Sequence, residues 1–231
     1  MTDAAAEAVL ERIRAALSPG GGPATRATHP GPFAGYPDTP PPGDDALVSR
    51  FGQKLEALSG RMHRASDPLE AARIVSEVAS RAQARRILSW DEAWLGCPGL
   101  HARLQAAGLE VSCLELPDDP LARGTRLLEA AQFLVGLTGA RAALADTGTV
   151  VLASGPGCSR LASLLPPVHV AIVSQRTLYP SLPSCLAAHP DLVADSSNVV
   201  LVTGPSRTAD IEMTLTHGVH GPREIHVIVM P

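Results

Sequence analysis

Short apolar runs alternate with segments of helical spacing along most of the chain, and this alternation restricts the fold more than any other feature. The strand candidates are residues 61–65, Arg86-Ile-Leu-Ser-Trp90, 109–116, 133–137, 141–145, 149–153, His169-Val-Ala-Ile-Val173, Asn198-Val-Val-Leu-Val202 and 225–230. Two of the intervening helices announce their starts. Asp67-Pro68 and Asp119-Pro120 each set a capping carboxylate before a proline, whose missing N–H costs nothing in a first turn, and they open helices over residues 68–82 and 121–132. Another helix is expected from Asp44 or Asp45, carrying Leu47, Val48, Phe51, Leu55 and Leu58 on one side and stopping at Gly60. Further helices are expected over residues 98–107, closed by Gly108, over 179–188 and over 208–217. Strands separated by helices predict an α/β fold with a mostly parallel sheet covered on both faces. Asp146-Thr-Gly148 is too tight a connection for a helix, so the runs on either side of it are expected to form a hairpin added to that sheet.

Ahead of this pattern, Thr2 and Asp3 can cap a helix with apolar residues at Ala6, Val9, Leu10, Ile13 and Leu17. Residues 18–43 are thick with Gly and Pro, including Pro40-Pro-Pro42, and read as an extended linker or wrapping arm. The expected division is therefore an N-terminal helix and arm over residues 1–43 and an α/β domain over 44–231. With 231 residues, 45 % of them hydrophobic, the chain can bury a full core, built from Ala, Leu and Val because aromatics make up only 3 %. A net charge of −4 and a pI near 6.0 provide no broad positive field, which argues against nucleic acid as a partner. No apolar run approaches the roughly 18 residues of a membrane span, and the acidic N-terminus lacks the basic start of a signal peptide, so a soluble cytoplasmic protein is expected. Cys97, Cys113, Cys158 and Cys185 are too widely spaced for a zinc ribbon, an iron–sulfur cluster or a disulfide framework; they read as small apolar fillers, and neither a cofactor nor a metal is expected.

Chemistry concentrates near the C-terminus. Asp146-Thr-Gly-Thr149 places a carboxylate, two hydroxyls and a glycine between apolar runs. Its backbone N–H groups with Thr147, Gly148 and Thr149 can hold a carboxylate or phosphate, with Asp146 as acid, base or positioning group; the alternative is a turn in which Asp146 bonds its own backbone. Gly204-Pro-Ser-Arg-Thr208 then precedes the helix expected over residues 208–217. First-turn N–H groups from Ser206 to Thr208 and the planar fork of Arg207 suit an anion. Asp210 and Glu212 put negative charge into that same turn, as capping groups or as catalytic ones; two residues apart, they face different sides and do not form a dyad. His217-Gly-Val-His220 lacks the spacing of a helical zinc pair, which leaves a polar ligand contact by His220 as the functional reading. Gly155-Pro-Gly157 turns the chain toward Arg160, a surface turn with a possible anion contact.

The ordered set Ala145-Asp-Thr-Gly-Thr149, Ser163-Leu-Leu-Pro-Pro-Val-His-Val170, Gly204-Pro-Ser-Arg-Thr-Ala-Asp-Ile-Glu212 and Gly218-Val-His-Gly-Pro222 resembles the lactate utilization protein C family and its LUD domain. The resemblance implies a fold similar to the ribose-5-phosphate isomerase, glucosamine-phosphate deaminase and CoA-transferase group. It also implies a part in oxidising L-lactate to pyruvate beside iron–sulfur partner proteins. A non-redox subunit that binds those partners or a small carboxylate is the expected role. An enzyme acting alone on a sugar phosphate, CoA thioester or organic acid is the alternative, with Asp146 and Glu212 as catalytic groups, and a non-catalytic ligand-sensing module is the third.

Overall fold

The computed structural model of the chain describes residues 3–17, 45–208, 216–217 and 220–231. It divides into two compact units, Met1–Asp38 and Thr39–Pro231. In the first, α1 (Asp3–Leu17) is the helix expected from the three-and-four spacing, with an exposed Arg14–Glu7 ion pair at 3.3 Å. The expected arm lies outside the described residues.

The second unit opens with α2 (Asp45–Ala57), whose Leu47, Val48, Phe51 and Leu55 are buried as the sequence stripe requires. Ser59, not Gly60, takes the left-handed conformation that ends it, and the Gly60 N–H donates to the Leu55 carbonyl. Then follow β1 (Arg61–Arg64), α3 (Pro68–Arg81), β2 (Arg86–Ser89), α4 (Leu100–Ala106), β3 (Glu110–Cys113), α5 (Pro120–Ala130) and β4 (Val135–Gly139). Both Asp-Pro signals hold. The Glu70 N–H donates to Asp67 Oδ1 at 2.8 Å, and the Ala122 N–H to Asp119 Oδ2 at 2.7 Å. A second group of elements comprises β5 (Ala142–Leu144), β6 (Thr149–Ser154), α6 (Leu161–Leu164), β7 (Val168–Ser174), β8 (Leu178–Tyr179), α7 (Leu182–Ala188) and β9 (Asn198–Val202). The chain closes with β10 (Arg207–Thr208), β11 (Thr216–His217) and β12 (Glu224–Met230).

Six strands form one fully parallel sheet in the order β1-β12-β7-β4-β2-β3. Its central strands β4 and β7 are buried along almost their whole length, as expected of a sheet covered on both faces. The hairpin expected at residues 141–153 does form, with Ala142 opposite Val151, but it does not join the parallel sheet. It belongs to a second sheet in the order β8-β5-β6-β9. The alternation along β6 explains why: Val150 and Leu152 enter the main core, while Val151 enters a separate cluster with Ala142, Leu144, Tyr179, Cys185 and Leu192. A strand with two apolar faces needs cover on both, and a second layer supplies it. Tyr179 is likewise in a strand, and the helix expected from it starts at Leu182.

The helix expected over residues 208–217 is overturned at both of its described ends. Thr208 pairs with Thr216 and Arg207 with His217 in an antiparallel ladder. The sequence carries the reason, because Ile211, Met213 and Leu215 alternate with polar residues at a period of two, the period of a strand. Among the described residues no helix is long and apolar enough to cross a membrane.

Candidate functional site

The two loops singled out in the sequence are neighbours. Antiparallel pairing of β6 with β9 sets Val150 opposite Val202, which brings Thr149 beside Thr203 with their hydroxyls 2.7 Å apart. The chain of hydroxyls continues from Thr149 to Thr147 at 2.7 Å, and Thr147 donates to Asp146 Oδ1 at 3.2 Å. Gly148 has a φ of +68°, and a Cβ there would lie 2.5 Å from the Leu55 nitrogen, so the loop rests directly on the last turn of α2. Gly204, at φ +81°, sits against Leu58 in the same way. Both backbone conformations favour glycine, and at Gly148 the approach to the α2 backbone also excludes a side chain.

These contacts use up part of the expected anion cradle. The guanidinium of Arg207 donates to the Leu58 carbonyl at the end of α2, and the Ser206 N–H donates to the Pro222 carbonyl at 2.8 Å. Since Thr208 is in a strand, no helix start presents free N–H groups at that point. Asp210 and Glu212 lie outside the described residues, and His220 is exposed. Leu58 precedes β1, and Pro222 precedes β12, so the paired loops gather at the N-terminal ends of the parallel strands. Ligands of open parallel sheets bind at the opposite ends, outside the carboxyl termini of the strands and where the chain reverses its direction of winding.

That reversal falls between β2 and β4. From β2 the chain moves outward to β3, returns over β2 to β4, and then proceeds the other way to β7 and β12. A cavity of about 520 Å³ lies at this point, lined among others by Trp90, Trp94, Arg141, Ser154, Cys158 and Asp195. Trp90 follows β2 directly, and its N–H donates to the Leu137 carbonyl of β4 at 3.0 Å, while its indole Nε1 donates to the Ser159 carbonyl at 2.9 Å. The next residue, Asp91, donates its N–H to the Gly157 carbonyl at 2.9 Å, so the loop after β2 is clasped to the loop after β6. Gly139 ends β4 where a Cβ would come 2.0 Å from the Trp94 carbonyl oxygen, which lets the turn carrying Trp94 close over the strand.

Polarity in the cavity is uneven. Ser154 is only 7 % exposed, and its hydroxyl has no hydrogen-bond partner among the described residues. Arg141 is exposed, and no described residue makes an ion pair or side-chain hydrogen bond with its guanidinium. Burial, reinforced by the Asp91 carboxylate, pushes the thiol of Cys158 up to about 11; burial and the hydrogen bond and charge of Asp91 push Cys113 up to about 12. Both sulfurs are therefore neutral thiols at neutral pH, weak as nucleophiles or metal ligands. A smaller recess of about 340 Å³ shares Ser154, Gly155 and Cys158 and extends to Arg160. Sequence reasoning passed over Trp90 and Trp94 in the loop after β2, Arg141 after β4 and Ser154 at the end of β6, since three separate parts of the chain supply them. The available signal was the pair of tryptophans, the only two in the sequence, just beyond a buried strand.

Comparison with known proteins agrees with the architecture. The LUD domain model matches residues 48–230. A lactate utilization protein C from Halalkalibacterium halodurans is 38 % identical over 193 residues, covering 80 % of each chain, and one from Geobacillus sp. is 31 % identical over 185 residues, covering 77 % of each. A solved structure of a DUF162 family protein from Deinococcus radiodurans superposes with a TM-score of 0.59 at 20 % identity, over 80 % of this chain and 97 % of the other, and so shares the fold. Aligned this far along both partners, the chain belongs to the lactate utilization protein C family and its LUD domain.

Proposed function

We propose that the chain is a cytoplasmic component of L-lactate utilisation, a subunit without a redox centre of its own that joins iron–sulfur partners and binds a small carboxylate or phosphate. The observation that carries this reading is the alignment with proteins named for lactate utilisation over four fifths of the chain. The four cysteines support the non-redox part, because their spacing along the chain, at 97, 113, 158 and 185, matches no cluster motif. The test is anaerobic reconstitution. The chain is mixed with iron–sulfur proteins of a lactate-oxidising system, and co-purification and pyruvate formation from L-lactate are followed with and without it. Recovery of a complex and faster pyruvate formation are expected; separate elution with an unchanged rate defeats the reading.

One observation keeps the alternative, an enzyme acting alone on a sugar phosphate, CoA thioester or organic acid, in view. The hydroxyl chain from Asp146 through Thr147 and Thr149 to Thr203 joins both sequence motifs into one polar surface. On this reading Asp146 and Glu212 act on a ligand held by residues 147–149, 204, 206–208, 210 and 220. An Asp146→Asn variant that keeps its fold and its partner contacts but loses turnover would favour it over the first reading.

A further inference from the structure

The cavity between the ends of β2 and β4 has the features of a built site. Its position is the reversal point at which open parallel sheets accept ligands. Its walls are fixed by the two clasping hydrogen bonds from Trp90 and Asp91 to the loop after β6. Ser154 lines it, and the Ser154 hydroxyl is buried without a hydrogen-bond partner among the described residues, a rare condition for a buried polar group.

The lining also restricts the chemistry of the occupant. Trp94, 55 % exposed, lines the cavity with an indole suited to a flat or short apolar body. Arg141 provides a planar cation that makes no ion pair or side-chain hydrogen bond among the described residues, suited to one carboxylate. Asp195 lines the same space and repels additional negative charge. The balance is one cation and one anion, so a polyanion is disfavoured. We propose that this cavity binds a small organic monocarboxylate, its carboxylate on Arg141, its body against Trp94, and the Ser154 hydroxyl as a further hydrogen-bonding contact.

This deepens the lactate reading by giving its small carboxylate a place, at the opposite end of the parallel strands from residues 146–149 and 204–208. Because the chain's only tryptophans, Trp90 and Trp94, both line the cavity, their fluorescence reports its occupancy directly. The experiment titrates the full chain alone with pyruvate, L-lactate and benzoate, and with inorganic phosphate for comparison, by tryptophan fluorescence and by calorimetry. A saturable signal with at least one monocarboxylate at Kd near ~1 mM or below is expected, a value within reach of ligands this small. Arg141→Ala should weaken it about tenfold or more, since the arginine is exposed and its loss leaves the fold intact, and Ser154→Ala should weaken it about three- to tenfold. Arg160→Ala, on the neighbouring recess, should change it by less than about twofold. Absence of a saturable response to all three acids up to ~10 mM overturns the proposal, as does phosphate binding as tightly as the acids, or an Arg141→Ala variant with unchanged affinity. The measurement involves no partner, so its failure leaves the chain's place in a lactate system untouched. A failed reconstitution, conversely, leaves this site standing.

Discussion

Glycines that look alike in the sequence do different work. Gly148 combines a φ of +68° with a Cβ position 2.5 Å from the backbone of Leu55. Gly124, in the middle of α5, has open space around its Cβ position and ordinary helical geometry. Gly148→Ala should destabilise the protein by about 2 kcal/mol or more, because strain and overlap act together. Gly124→Ala should stabilise it by about 0.5–1 kcal/mol by reducing the freedom of the unfolded chain. Urea midpoints of the two variants against the parent check both; shifts of the same sign would mean that local geometry is not what separates these positions. Thr149 is a second instance. The sequence shows a hydroxyl in a turn, and the structure shows that hydroxyl joined to Thr203 across β6 and β9.

Among the elements, the helices follow local rules closely and the strands do not. The first turn of α3 is held by Asp67 on the Glu70 N–H and by Glu70 Oε2 reaching back to the N–H and hydroxyl of Ser66. The two bonds from Ser66 also draw the Glu70 carboxyl below its ordinary value. Asp67→Ala should cost about 1 kcal/mol, and Asp67→Asn much less, because an amide oxygen caps nearly as well. Thermal melts of the pair provide the check, with equal losses counting against capping as the cause. Strand placement depends instead on partners distant in sequence. The hairpin of β5 and β6 could be read from its tight turn, but its assignment to a second sheet depends on β8 and β9. The opposite case is the pairing of Thr208 with Thr216, since the period-two pattern between them in the sequence points to strand while the loop before them resembles a helix start.

At the scale of the whole molecule, stability carries a pH signature from buried histidines. His169, only 1 % exposed, has its pKa lowered to about 4 by burial, and its Nε2 shares a 2.9 Å hydrogen bond with the Thr138 hydroxyl. His226 is lowered by burial and then by His63, whose Nε2 lies 2.9 Å from its Nδ1; His63 itself is lowered by burial and by Arg81 and Arg61, against Glu77. In the unfolded chain these groups bind protons near 6.5, so between pH 6.5 and about 4 the unfolded state holds more protons than the folded one. Their neutral, buried state is fully accommodated above pH 6.5, and stability falls as the pH drops through that window. For His169 the loss should be on the order of 2 kcal/mol by pH 5. His169→Gln, which retains a hydrogen-bonding side chain, should flatten the dependence of the urea midpoint on pH between 6.5 and 4.5. Identical slopes in variant and parent would remove His169 from the account.

The sequence by itself determined the α/β class, the positions of most helices and strands, both Asp-Pro helix starts and the family. Each of these rests on interactions within a few residues, or on a pattern of burial that repeats along the chain. Tertiary structure decided which strands share a sheet, that Ser206 and Arg207 spend their donors on Pro222 and Leu58, and where the cavity lies. Trp90 and Arg141 lie where the order of strands in the parallel sheet reverses between β2 and β4, and Ser154 and Asp195 reach them from the second sheet and its connections. That order is set by long-range pairing, and no local spacing encodes it.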